Sequence, residues 1–188
     1  MSDRPLILAS GSKRRRVLFK TLDIPFEVVS PVVDERLDAF SSPEENAMRL
    51  AYEKAESVFR KHPGSRVLGC DTIVAVGDEM LGKPENDDDA KRMLNMLSGR
   101  THAVITGCAL LSPHEEHIFF RKADVTFFPL TEEEIDAYVK TKEPFGKAGA
   151  YALQERAGAF IDTVNGDVFA VIGLPIGKIR ECLRNPLK

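Results

Sequence analysis

The sequence predicts an α/β fold. Short apolar runs of strand length alternate along the chain with segments of helical periodicity. Helix starts are marked by capping signals at Ser42-Pro43-Glu44-Glu45 and Thr131-Glu132-Glu133-Glu134. No internal repeat, low-complexity tract or long linker breaks the alternation. The chain has 188 residues, 43% hydrophobic and 29% charged, which suits one domain with a sizeable core. A single domain over residues 1–188 is the expectation.

Taken in order, Pro5 to Ala9 reads as a short buried strand, and Ser10-Gly11-Ser12 as a turn and cap. A helix follows from Lys13 to Leu22, with Val17, Leu18 and Leu22 on its inner face. Phe26 to Ser30 is a second strand. The helix opened by Ser42 runs to Lys61 and places Ala47, Leu50, Ala51, Val58 and Phe59 near one stripe. Val67 to Val76 is a long apolar strand closed by a Gly77-Asp78 turn. Asn86 to Leu97 is a helix with Ala90, Met93, Leu94 and Leu97 at helical spacing, stopped by Ser98-Gly99. Ala103 to Leu111 and Ile118 to Phe128 read as paired strands. The Thr131 cap opens a helix to Lys140. Ala159 to Val164 is a further strand, and Pro175 to Leu183 a last helix. Residues 77–84, 146–149 and 165–177 read as irregular, and loops of this kind carry function more often than packing.

The bulk properties exclude several function classes. A net charge of −3 provides no global basic field for nucleic acid, so an anion site must be built locally. Cys70, Cys108 and Cys182 lack the CxxC spacing of a zinc site, and their odd number argues against a disulfide framework. Met1 to Pro5 are not followed by the apolar core of a signal segment, and no run approaches the length of a membrane span. A cytoplasmic protein is expected. His114 and His117 stand beside Pro113, Glu115 and Glu116 and read as a solvated hairpin turn rather than a metal pair.

Several residues are candidates for chemistry. Ser10, Ser12, Lys13, Arg14, Arg15 and Arg16 gather cations where a strand turns into a helix. Those charges oppose the helix dipole unless an anion such as a polyphosphate sits at the turn. The alternative is that some of them simply point into water. Asp71 lies inside the apolar run Val67 to Val74, where a carboxylate needs a metal ion, a cleft or an ion-pair partner. Asp34 and Glu35 could give oxygen ligands to Mg²⁺ or form a solvated turn. Lys54 borders the apolar stripe of its helix, and the plain alternative for it is a snorkelling side chain. Lys83 and Lys147 sit among residues suited to tight turns, Gly82-Lys83-Pro84 and Gly146-Lys147-Ala148-Gly149, without P-loop spacing. The amide of Gln154 offers the donor and acceptor that match the edge of uracil or thymine, or else it is a surface glutamine.

As an ordered set these segments resemble the Maf family of nucleotide pyrophosphatases. The matching pieces are Leu8 to Arg15, Val33-Asp34-Glu35, Glu53-Lys54-Ala55, Leu68 to Val74, Gly82-Lys83-Pro84, Leu97 to His102, Glu143 to Tyr151 and Val171 to Pro175. They span nearly the whole chain.

The resemblance implies an elongated α/β fold with a mixed sheet flanked by helices, two lobes around a cleft, and commonly a homodimer. It implies cleavage of a nucleoside triphosphate between the α- and β-phosphates with a divalent metal, Mg²⁺ or Mn²⁺. Asp71 matches the proton acceptor. Lys54 and Lys83 join it as catalytic cations, and Glu35 and Asp71 as metal ligands. Ser10, Ser12, Arg14, Arg15, Thr72, Lys147 and Gln154 fall to substrate binding. Arg14, Thr72 and Gln154 resemble the branch acting on dTTP and UTP, including modified pyrimidine nucleotides. A house-cleaning pyrophosphatase for other non-standard nucleotides, and a non-enzymatic nucleotide-binding regulator of cell division, are the alternatives. Three places depart from the family pattern. Lys13 stands where Pro is usual, Gly146 where Asp is usual, and Ala152-Leu153-Gln154-Glu155 where Gly-Ile-Gln-Gly is usual.

Overall fold

The computed structural model describes residues 6–184, so the expected strand start at Pro5 and the reading of Met1 to Pro5 lie outside the described residues. Strands and helices are mixed as the sequence predicts. Among the described residues the sheet has seven strands, β1 (Leu6–Ala9), β2 (Phe26–Val29), β3 (Arg66–Val76), β4 (Glu79–Leu81), β5 (Thr101–Leu111), β6 (Glu116–Phe127) and β7 (Ile161–Gly166), in the order β2-β1-β3-β5-β6-β7, with β4 pairing to β3 beside this path. Parallel and antiparallel pairs occur together: β1 runs parallel to β2 and β3, while β3–β4 and β6–β7 are antiparallel. By contacts the chain falls into two compact units. The first takes the described residues up to Asp71, Thr106–Arg121 and the described residues from Gly173 on. The second takes Thr72–Ile105 and Lys122–Ile172.

In the first unit β1 (Leu6–Ala9) is buried along its length between β2 (Phe26–Val29) and the start of β3 (Arg66–Val76). Such a strand reads as a continuous apolar run because both faces are covered. Helix α1 (Lys13–Phe19) is capped by Ser12, whose hydroxyl accepts the Arg15 N–H. The helix is shorter than the sequence suggests. Thr21 donates its hydroxyl to the Leu18 carbonyl at 2.7 Å, and residues 20–22 tighten into a 3₁₀ turn. Its inner face also differs from the expectation. Val17 is 67% exposed, and Phe19 is buried instead, its ring 4.7 Å from that of Phe26.

Helix α2 (Pro43–Phe59) carries the full capping box at Ser42 and Glu45. Its inner face is small: Ala47, Ala51 and Ala55 recur every fourth residue and are fully buried. Opposite them stand Gly69 on β3 and Gly107 on β5 (Thr101–Leu111). A Cβ on Gly69 would lie 2.3 Å from the Ala51 oxygen, and one on Gly107 would lie 2.2 Å from the Ala47 oxygen. Helix and sheet meet backbone to backbone, which glycine alone permits. The first unit also holds the start of β6 (Glu116–Phe127) and α6 (Ile176–Arg184).

The second unit packs α3 (Asp87–Leu97) and α4 (Glu132–Lys140) over Val74, Val104, Val125 and Phe127. Both helices begin on side-chain caps, Asn86 and Thr131, with acidic residues in the first turn that complement the helix dipole. The segment 77–84, expected to be irregular, contains β4 (Glu79–Leu81). The expected strand from Ala159 begins later: Arg156–Phe160 form a 3₁₀ turn, and β7 spans Ile161–Gly166. Within 165–177 lies α5 (Val168–Ile172), started by Asp167, whose carboxylate accepts the Phe169 N–H at 2.9 Å. Its Val, Phe and Ile content hides it, and the Asp cap is the signal that reveals it. His117 is no turn residue. It lies on β6, and its side chain is 13% exposed, facing Glu115.

Candidate active site

The strand order places a site before any side chain is considered. Ala9, the last residue of β1, sits beside Val29 on one side and Gly69 on the other. The chain passes from β1 to β2 on one side and then to β3 on the other, so strand order reverses at β1. In open α/β sheets the carboxyl ends of strands at such a reversal frame the ligand crevice. The turn at Ser10–Ser12, the loop after β2 and residue Asp71 on β3 all emerge at that end. Ser10 is buried and its Oγ accepts the Ser12 N–H at 3.2 Å. Arg14 and Arg15 follow on the first turn of α1, and Arg15 Nε donates to the Gly173 carbonyl at 2.7 Å.

The approach of α2 to Gly69 builds the second part. Residues 69 and 71 share a face of β3, since strand side chains alternate. Asp71 therefore points to the side that α2 covers. Lys54 immediately precedes Ala55, which contacts the Gly69 position. Its ammonium stands 2.5 Å from Asp71 Oδ1 and 2.7 Å from Glu35 Oε1, with the lysine side chain 6% exposed. Lys54 is thus not a snorkelling side chain. It is a buried cation held between two carboxylates, and this is the ion-pair partner that a carboxylate inside an apolar strand requires. Glu35 reaches it from the loop between β2 and α2.

Behind this face, Cys70 and Cys108 point the other way with sulfurs 3.5 Å apart, both fully buried and free. Burial, and then the adjoining Cys70 sulfur, pushes the Cys108 thiol well above the usual range.

The second unit holds Thr72, Lys83, Lys147 and Gln154. The Gly149 N–H donates to the Gly82 carbonyl at 3.0 Å, so the loops bearing Lys83 and Lys147 are tied together. Gly149 itself has φ +65°, and a Cβ there would meet Val74 at 2.9 Å. Lys147 is 7% exposed, hydrogen-bonds the Glu143 carbonyl, and lies 3.1 Å from Glu155 Oε2. Lys83 and Gln154 are exposed and Thr72 is half-buried.

The sequence singled out neither the Asn46 and Arg49 pair that holds the Glu35 loop nor Glu155 as the partner of Lys147, although Glu155 falls within a departure from the family pattern. A polar Asn46 inside the alanine stripe of α2 was the available signal. For Glu155 the signal was a lysine among turn glycines with no acid beside it.

Among the described residues, no group of three or more His, Cys, Asp and Glu side chains is placed to hold a metal ion. Glu35 and Asp71 nevertheless converge on a single cation, the Lys54 ammonium. That geometry offers two carboxylate oxygens, the donor set Mg²⁺ takes when substrate phosphates complete its shell. No helix of the described residues is long and apolar enough to cross a membrane.

Comparison with known proteins extends the picture. The family model described as Maf-like protein matches residues 5–186. The chain is 47% identical over 176 residues to the dTTP/UTP pyrophosphatase of Bacillus mycoides, covering 94% of this chain and 92% of that protein. It matches the dTTP/UTP pyrophosphatase of Bacillus cytotoxicus at the same identity and coverage. Among solved structures it resembles the Ham1 protein of Staphylococcus aureus, with a TM-score of 0.54 at 16% identity over 96% of this chain and 98% of that one. That likeness concerns the fold alone.

Proposed function

The chain belongs to the Maf family, and on that premise we propose that it is a nucleoside triphosphate pyrophosphatase acting on dTTP and UTP. One observation supports the chemistry most directly: a carboxylate, Asp71, at the carboxyl end of the sheet, with Lys54 and Glu35 assembled on it. A binding protein needs cations for its phosphates. It has no need of a carboxylate set among them, which would repel the ligand.

In this reading Ser10, Ser12, Arg14 and Arg15 hold the triphosphate, and Lys54 and Lys83 neutralise its charge. Asp71 accepts a proton from water as the water oxygen bonds to the α-phosphorus. The bond from that phosphorus to the bridging oxygen breaks, and pyrophosphate leaves with the electron pair. A divalent metal held by Glu35 and Asp71 supplies further neutralisation of the phosphate charge when bound. Gln154, with Thr72 and Arg14, reads the base, and Lys147 contacts the substrate. The family likeness supports these last assignments. A cytoplasmic homodimer completes the proposal.

The test is a panel of dTTP, UTP, CTP, GTP, ITP and 7-methyl-GTP, scored for pyrophosphate release with and without Mg²⁺. Metal-dependent release from dTTP and UTP ahead of the purines is expected. Preference for ITP would favour house-cleaning of non-standard nucleotides. Nucleotide binding without turnover would overturn the enzymatic reading in favour of a regulator.

A further inference from the structure

We infer that Asn46 is a positioning residue for Glu35, and through it for the divalent-cation site; the inference rests on the role proposed above for Glu35. Residues 30–41, between β2 and α2, contain no regular secondary structure, so no ladder fixes their backbone. Apolar packing holds little of it: Val33 and Leu37 are half-buried, while Val32 is 84% and Phe40 101% exposed. Yet Glu35 leaves this segment to meet a buried ammonium at 2.7 Å, with its own side chain 37% exposed. Burial of Glu35 therefore does not set its place. The backbone that follows it contributes to that placement.

The structure shows what holds that backbone. Asn46 is fully buried on α2. Its Oδ1 accepts the Asp38 N–H at 2.8 Å, while its Nδ2 donates to the Asp38 carbonyl at 2.8 Å. The amide thus pairs with both backbone groups of one loop residue, as a neighbouring strand would. The same Nδ2 lies 3.2 Å from the carbonyls of Ser41 and Ser42. One turn further along, Arg49 donates to the Arg36 carbonyl at 2.7 Å and to Asn46 Oδ1 at 3.1 Å. Arg36 adjoins Glu35 in the chain. Lys54 lies two turns beyond Asn46, about 12 Å along the helix axis. One helix therefore carries both the clamp on the loop and the cation its carboxylate meets, so the spacing along α2 sets where Glu35 arrives beside Asp71.

Asn46→Ala, Arg49→Met and Glu35→Gln test this. Mn²⁺ binding is measured with a UTP analogue that cannot be cleaved between the α- and β-phosphates, by the electron paramagnetic resonance of the free ion and against a protein-free control, alongside the rate of tryptic cleavage after Arg36 in metal-free protein. Asn46→Ala should weaken Mn²⁺ binding about tenfold, the range expected when an outer partner of a ligand is lost, and should speed cleavage after Arg36. In a Glu35→Gln background it should weaken Mn²⁺ binding no further. Wild-type Mn²⁺ affinity despite faster cleavage would make Asn46 a structural clamp only and overturn the inference. So would an equal loss of affinity in the Glu35→Gln background. Should Glu35→Gln alone bind Mn²⁺ like the wild type, the ligand role of Glu35 falls, and the inference with it. If circular dichroism shows that Asn46→Ala does not fold, Arg49→Met, which spares the buried amide, decides by the same criteria.

Discussion

The oxygen of Ala51 on α2 lies 2.3 Å from the point a Cβ would occupy on Gly69 of β3. This contact lowers the helix onto the sheet and brings Lys54 within 2.5 Å of Asp71 two residues further along the strand. Packing and chemistry are therefore one arrangement in this part of the protein, and the first prediction follows from it.

Gly69→Ala forces apart two backbones that cannot rotate out of contact. Overpacking of this kind costs about 1–3 kcal/mol, often more against backbone. The unfolding free energy measured in urea should drop by that amount, and turnover should fall with it because Lys54 retreats from Asp71. Wild-type values for both would show that α2 can lift without consequence and that the glycine is incidental.

Asp71→Asn separates chemistry from packing. The amide keeps the carboxylate's size, and Lys54 keeps Glu35 as its partner at 2.7 Å. Turnover should fall by about 10²–10⁴, the usual contribution of a general base, with an unchanged circular dichroism spectrum. Turnover at the wild-type rate would remove Asp71 as the proton acceptor.

The sequence made some of this legible and hid the rest, for identifiable reasons. The caps at Ser12, Ser42 and Thr131 are local devices, and the helices start where they indicate. The isolated carboxylate in Val67 to Val74 advertised that it needed a partner. Lys54 did not advertise that it was the partner, because at the border of an apolar stripe a lysine looks the same whether it snorkels or turns inward. What decides is the depth of α2. That depth depends on Ala47, Ala51 and Ala55 meeting Gly69 and Gly107, glycines separated by a long stretch of chain. Helix α5 was hidden differently. Val168, Phe169, Val171 and Ile172 carry the preferences of a strand, and Asp167 alone starts a helix there.

Gln154→Glu removes an amide donor while keeping length and exposure. If the amide reads the pyrimidine edge, the ratio of UTP to GTP hydrolysis should fall while stability is unchanged. A constant ratio would assign base selection elsewhere.

His102 should make stability depend on pH. It is 2% exposed, its Nε2 lies 2.8 Å from the Tyr151 hydroxyl, and burial lowers its pKa from 6.5 to about 4. Between those values the unfolded chain binds a proton that the folded one refuses, so stability is lost as pH falls from about 6.5 toward 4. At about 1.4 kcal/mol per pH unit, His102 accounts for roughly 3 kcal/mol across that window. His102→Gln should flatten the dependence of the urea midpoint on pH between these limits, whatever its effect at neutral pH. An equal slope in the variant would refute a buried neutral imidazole.

Glu155 bears on a departure from the family pattern, the glycine at position 146 where an aspartate is usual. Lys147 is buried beside that position, and a buried ammonium without a counter-charge is costly. Glu155 Oε2 stands 3.1 Å from the Lys147 ammonium, from the far side of the same loop and next to Gln154. Glu155 supplies the counter-charge that position 146 lacks. Glu155→Ala should therefore destabilise the second unit and, if Lys147 contacts the substrate as proposed, raise KM for UTP and GTP alike. Restoring a carboxylate by Gly146→Asp in the same chain should recover part of the loss. The φ of +74° at Gly146 limits that recovery, since aspartate tolerates left-handed backbone less well than glycine. A change confined to the UTP to GTP ratio would instead place Glu155 with Gln154 in base selection. No change in KM or midpoint would leave the ion pair without function.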